Sequence, residues 1–142
     1  LHIVGSGPER DNLEKLATNK KVNVKFLGVY PNSELPKIIN QYPVFILPSL
    51  YENNPKTLME AMSCGLAIIG TNVHGIKELI SNNENGLLCE VNSTSMKNCI
   101  NMLLKDHNLS ENLGKNSISF INENYSLDII SAKYQEIFCC LL

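Results

Sequence analysis

Apolar residues follow two alternating rhythms along the chain. Short β-rich runs occur at 1–5 (LHIVG), 22–28 (VNVKFLG), 44–47 (VFIL), 67–70 (AIIG) and near 86–91, and between them lie longer segments of helical period. The periodicity predicts a helix over 9–18 with Leu13, Leu16 and Ala17 on one face. A second carries Leu35, Ile38 and Ile39, is capped by Asn32 or Ser33, and stops before Tyr42-Pro43. Further helices are predicted at about 55–64 and at 75–81, 94–105, 109–124 and 126–140. VFIL is apolar throughout, as in a central strand covered on both faces. Repeated β-α units of this kind wind around a parallel sheet, so the fold class is α/β with a doubly wound parallel sheet. Asn82, Asn83 and Asn85 crowd into a turn.

Composition narrows the classes. At 142 residues, with no internal repeat or low-complexity linker, residues 1–142 read as one domain. Apolar residues make up 44% of the chain and charged residues 18%, and no apolar run approaches the ~20 residues of a membrane span. A net charge of −2, with basic residues dispersed, gives no footprint for nucleic acid. Cys64, Cys89, Cys99, Cys139 and Cys140 are odd in number and lack C-x2-C spacing, which argues against a structural zinc site and for a reducing cytoplasm. His2, His74 and His107 are scattered, so metal chemistry has no support. The opening residues have no basic region and too short an apolar run for a signal peptide.

The most informative stretch runs from Pro48 to Leu66, out of a central strand and into a helix, the edge at which ligands of open α/β sheets gather. Pro55 stands where a first helical residue belongs and Asn54 where a cap belongs, which would leave the amides of Lys56, Thr57 and Leu58 unpaired and attractive to a phosphate. The same residues also describe an ordinary capped helix whose Leu58, Met62 and Gly65 pack on the sheet. Glu52 lies in the loop, and Glu60 follows Pro55 by five residues, about 7.5 Å along the helix axis. That offset suits a ribose next to a diphosphate, because a carboxylate accepts hydrogen bonds from both hydroxyls of a vicinal diol. Two solvated surface charges are the plainer alternative. Lys56 either adds a positive charge or is an exposed structural lysine.

Glu52 and Glu60 form an E-x7-E motif, and the segment around them resembles the donor site of the retaining GT-B glycosyltransferases of the family-4 group. The likeness extends through Ile3-Val-Gly-Ser-Gly-Pro, Phe26-Leu-Gly-Val, Leu47-Pro-Ser-Leu-Tyr-Glu and Glu60-Ala-Met-Ser-Cys-Gly-Leu. It continues in Gly70-Thr-Asn-Val-His-Gly-Ile-Lys-Glu-Leu-Ile, Asn85-Gly-Leu-Leu and Tyr125-Ser-Leu to Tyr134. It therefore covers nearly the whole chain. The resemblance implies a Rossmann-like sheet and the C-terminal, donor-binding half of a GT-B enzyme. Gly5 and Gly7 would form the G-x-G-P turn, with backbone at Gly28 and Val29 meeting the base. Asn54, Pro55 and the amides of Lys56, Thr57 and Leu58 would cradle the diphosphate, while Glu60 would hold the ribose and Glu52, the catalytic candidate, the transferred sugar. Helix-end amides oppose charge growing on the leaving diphosphate, so neither metal nor other cofactor is implied. The implied reaction is transfer of a hexose or similar sugar from a nucleoside diphosphate sugar, in carbohydrate or polysaccharide synthesis.

Two departures accompany the likeness. Asn53-Asn54-Pro55 stands where many members have Phe-Gly, which bears on donor identity. The family's Arg and Lys facing the phosphates belong to an upstream strand-loop-helix, and Arg10 is not their replacement. That unit and the N-terminal acceptor-binding domain are expected to lie outside these residues, leaving the isolated chain inactive and any peripheral membrane contact to a longer cytoplasmic protein. In a sheet of order 3-2-1-4-5-6, the strands at 1–5 and 44–47 must then pair directly or leave a gap.

Three other readings compete. A dinucleotide oxidoreductase is disfavoured because Arg10 stands at the third glycine of the fingerprint and Leu27-Gly28 where a ribose-binding acid belongs. A GT-B-fold epimerase or phosphorylase would keep the fold and change the reaction. A catalytically silent nucleotide-sugar-binding fragment would keep the site and lose turnover.

Overall fold

A computed structural model describes residues 1–140. The strands are β1 (His2–Val4), β2 (Lys25–Gly28), β3 (Val44–Leu47), β4 (Ala67–Thr71) and β5 (Leu87–Cys89). The helices are α1 (Arg10–Asn19), α2 (Leu35–Ile39), α3 (Lys56–Ser63), α4 (His74–Lys77), α5 (Ser93–Lys105), α6 (His107–Tyr125) and α7 (Leu127–Cys139). The expected α/β alternation is therefore present, and every strand ladder is parallel. The strands form two sheets, β1-β2 and β3-β4-β5.

The chain falls into two compact units, Leu1–Leu35 and Pro36–Leu142. In the first, β1 runs parallel to β2 with a register shift between Ile3 and Val4. Leu13 and Leu16, expected on a covered face of α1, are 42% and 52% exposed, and only Ala17 of that face is half-buried. The expected cap at Asn32 or Ser33 is instead a 3-10 turn over Asn32–Glu34 that opens at Pro31 and leads into α2.

The second unit holds the core. β4 is buried at all five positions, and its alternating side chains feed two clusters. Ile68 packs with Leu58, Met62, Ile76 and Ile80, while Ala67 and Ile69 pack with Leu87, Cys89, Cys99, Leu103 and Leu113. Covered faces on both sides are what a continuous apolar run in a central strand requires. Just past the end of α3 stands Gly65, whose φ of +75° favours glycine, and the chain meets α6 closely there. A side chain at Gly114 would lie 2.2 Å from the Gly65 carbonyl oxygen, so the crossing tolerates only glycine at that point. Buried Ser117 of α6 donates to the Gly114 carbonyl at 2.8 Å, which satisfies its hydroxyl.

α4 is shorter than the predicted 75–81. After Lys77 the backbone leaves the helix, and the side chain of Asn85 takes over its hydrogen bonds, accepting from Ser81 N and donating to the Leu79 carbonyl. Leu79 and Ile80 stay buried in this irregular segment. Asn82 accepts from Leu88 N and Asn83 adopts φ +65°, so the asparagine cluster forms the predicted turn.

Candidate functional site

The candidate residues lie in both units. In Leu1–Leu35 the backbone turns after both strands. Gly5 and Gly28 have φ of +121° and +78°, conformations that L side chains avoid, and Gly5 N donates to the Gly28 carbonyl at 2.7 Å. A Cβ built at Gly5, Gly7 or Gly28 meets nothing within 4 Å, so dihedral angle, not crowding, selects glycine at 5 and 28. Val29 follows at 73% exposure, an apolar side chain presented to solvent at the end of β2. Arg10 is engaged locally, with its guanidinium 5.6 Å from the Phe26 ring and its Nε 2.9 Å from Glu14. It is thereby occupied within its own unit.

In Pro36–Leu142 the loop from β3 to α3 is fastened from the neighbouring strand and helix. Buried Thr71, at the end of β4, donates its hydroxyl to the Ser49 carbonyl. The Ser49 hydroxyl donates to Oε1 of Glu52 at 2.8 Å, and Gly75 N donates to the Glu52 carbonyl at 3.1 Å. Gly75 permits this approach, because a Cβ there would lie 2.4 Å from the Asn53 carbonyl oxygen and 2.9 Å from that of Glu52. Thr71 and Gly75 escape a reading of sequence alone, since their bonds to the loop span more than twenty residues, whereas Ser49 reaches Glu52 from three positions away.

The start of α3 differs from expectation in two details. Pro55, not Asn54, occupies the cap position, with φ −77° and ψ 86°, and no side chain caps the helix. As at any cap position, the backbone carbonyl accepts the first helical bonds, here from Leu58 N at 3.0 Å and Met59 N at 3.3 Å. The Leu58 amide is therefore paired, and its side chain is fully buried in the core. Among the described residues, the amides of Lys56 and Thr57 have no acceptor, so two of the three expected donors remain. Asn53, Asn54, Pro55, Gly75, Glu78, Leu79 and Tyr125 line a recess of about 360 Å³ beside this helix start. Glu60 is half-buried on α3, and its charge, after burial itself, helps hold the Cys64 thiol above its ordinary range. Met62 packs in the core as expected, whereas Gly65 faces Ile118 of α6 and not the sheet.

Comparison with known proteins gives this arrangement its context. The family described as "Glycosyl transferases group 1" matches residues 1–120. The chain belongs to the group 1 glycosyl transferases. Within that family it is 31% identical over 139 residues to N-acetyl-alpha-D-glucosaminyl L-malate synthase of Bacillus anthracis, covering 97% of this chain and 36% of that protein. Sucrose-phosphate synthase from Thermosynechococcus elongatus superposes with a TM-score of 0.90 at 26% identity, over 99% of this chain and 38% of that one. Anabaena Alr3699/HepE, solved in complex with UDP, superposes at 0.88 with 22% identity, over 98% and 40% respectively. The glycosyl transferase chain thus spans somewhat over a third of the length of these relatives. Its fold is the Rossmann-like C-terminal half of the GT-B architecture, as the motifs from Ile3 to Tyr134 imply. No helix among the described residues is long and apolar enough to cross a membrane.

Proposed function

We propose that this chain binds the donor of a retaining glycosyltransferase that moves a hexose or similar sugar from a nucleoside diphosphate sugar to an acceptor. The observation that carries the reading is the junction of β3 and α3. There a helix start offers the unpaired amides of Lys56 and Thr57, four and five residues after Glu52, whose carboxylate is held in place by Ser49. In this reading the two amides, with Asn54 and Pro55 shaping their approach, receive the diphosphate. Glu60 accepts from the ribose hydroxyls and Glu52 from those of the transferred sugar. Backbone at Gly28 and Val29 meets the base, and Gly5 and Gly7 give the turn that lets the donor approach. Charge builds on the diphosphate as the glycosidic bond breaks, and fixed amide dipoles oppose it without reorganising, so the chemistry proceeds without a metal.

UDP sugars are the donors to test first, because UDP occupies the HepE structure. The chain spans about a third of its relatives, so turnover belongs to a longer assembly that includes an acceptor-binding domain. Five unpaired cysteines suit a reducing cytoplasm, with any membrane association coming through that longer assembly. The test is transfer from an α-linked UDP sugar by a protein carrying this chain, followed by NMR of the new anomeric linkage with and without chelator. An α product that survives chelation supports the reading. A β product contradicts retention, loss of activity on chelation contradicts metal independence, and tight donor binding without transfer would mark a binding module.

A further inference from the structure

Beside Glu52, the loop contains a serine that belongs to neither core cluster. Ser49 is half-buried and bonded at both ends. Its carbonyl accepts from the Thr71 hydroxyl, and its own hydroxyl donates to Oε1 of Glu52 at 2.8 Å. Thr71 is 3% exposed on β4, whose five residues are all buried, so the anchor is rigid. The far end of the same short segment is tied by Gly75 N to the Glu52 carbonyl. Ser49 to Glu52 is therefore clamped at both backbone ends, and the serine hydroxyl sets the remaining freedom, the direction of the carboxylate.

That bond has a chemical consequence. A carboxylate offers two oxygens and about four lone-pair directions. Ser49 occupies one direction at Oε1, and among the described residues Oε2 has no hydrogen-bond partner. A glutamate left to itself samples three side-chain torsions, and ordering them when a ligand arrives costs conformational entropy. One held beforehand does not incur that cost on binding.

We propose that Ser49 is a positioning residue that fixes Glu52 for the transferred sugar, with Thr71 fixing Ser49 in turn. The proposal rests on the donor reading of Glu52. Its signature is selectivity: losing the serine hydroxyl affects a ligand that contains sugar and spares one that lacks it.

Calorimetric titration of the 142-residue chain with UDP and with UDP-glucose tests this. Ser49→Ala is expected to keep UDP affinity within about two-fold and to weaken UDP-glucose by about 5- to 20-fold, with Ser49→Thr restoring it. In a Glu52→Ala background, removing the Ser49 hydroxyl should change UDP-glucose affinity by less than about two-fold, because the two residues act through one contact. If Ser49→Ala does not fold, Thr71→Val tests the same chain of bonds and should show a smaller loss confined to UDP-glucose. Equal weakening of both ligands by Ser49→Ala would assign it a purely structural role and overturn the proposal. So would unchanged UDP-glucose binding in Ser49→Ala, or in Thr71→Val, while Glu52→Ala weakens it. Unchanged UDP-glucose binding in Glu52→Ala, or none in the unsubstituted chain, would instead remove the donor reading beneath the proposal.

Discussion

Replacing Gly75 by alanine probes how tightly the loop bearing Glu52 is held. The new Cβ would lie 2.4 Å from the Asn53 carbonyl oxygen, 2.7 Å from its carbon and 2.9 Å from the Glu52 carbonyl oxygen, where ordinary contact begins at 3.4 Å. All three are backbone atoms, so no side chain can rotate away, and a separation of about 1 Å must be found by moving chain. α4 cannot easily supply it, because Ile76, Leu79 and Ile80 anchor that segment in the core at 5% exposure or less. The loop must move, and the hydrogen bond from Gly75 N to the Glu52 carbonyl stretches beyond its present 3.1 Å. Overpacking of this kind costs about 1–3 kcal/mol and the lost bond about 0.5–1.5 kcal/mol, while a stiffer unfolded chain returns about 0.4–1 kcal/mol. The net loss is about 0.5–4 kcal/mol, which at roughly 3–4 °C per kcal/mol lowers Tm by roughly 2–16 °C. Urea unfolding followed by far-UV circular dichroism reports it, since α3 and α5 to α7 dominate the helical signal. Gly7→Ala, with nothing within 4 Å of the new carbon, should stay within about 1 kcal/mol of the parent. A Gly75→Ala chain as stable as the parent, with unchanged binding of UDP-glucose, would refute the reasoning.

Gly28→Val should destabilise the first unit by about 1–3 kcal/mol through its φ of +78°, even without nucleotide, as a drop in thermal midpoint; no drop would contradict the strained-turn account. Cys139 and Cys140 should react quickly with a thiol reagent and half-buried Cys64 more slowly, whereas buried Cys89 and Cys99 react only as the chain opens. Burial foremost holds the thiols of Cys64, Cys89 and Cys99 above their ordinary 9.0, with Glu60 adding to the effect at Cys64. As pH rises past 9.0 the unfolded chain loses these protons while the folded chain keeps them, so stability should fall with pH in that window. Replacing Cys89 and Cys99 by alanine should flatten the fall seen in urea midpoints between pH 7.5 and 10, and an unchanged slope would contradict it.

Much of the fold was legible because burial writes itself into periodicity. VFIL and AIIG have no polar position, and they pair in register as neighbouring strands with both faces of β4 covered. The α4 boundary was not legible, because the apolar spacing of Ile76, Leu79 and Ile80 suits a helix whether or not the backbone continues as one. Asn85, a buried side chain that replaces helical hydrogen bonds, decides the matter. Asn54 failed as a cap because the chain reaches Pro55 in a conformation that places the proline carbonyl over the first turn. On α1, Leu13 and Leu16 follow helical period without being covered, since periodicity identifies an apolar face but not its partner. At the site, the glutamates were visible by spacing, while the contacts that fasten the loop of Glu52 from β4 and α4 were not. Thr71 meets Ser49 across 22 positions, a relation no local pattern encodes.

The central claim is that the two glutamates grip different parts of one donor, and titration calorimetry of Glu60→Ala and Glu52→Ala with UDP and UDP-glucose tests it most directly. Removing a charged acceptor from a diol costs about 1.5–3 kcal/mol, so Glu60→Ala should weaken both ligands alike by roughly 10- to 150-fold. Glu52→Ala should leave UDP affinity unchanged within about two-fold and weaken only UDP-glucose, since its partner is absent from UDP. Equal losses of UDP affinity in the two variants, or no loss in Glu60→Ala, would contradict the account.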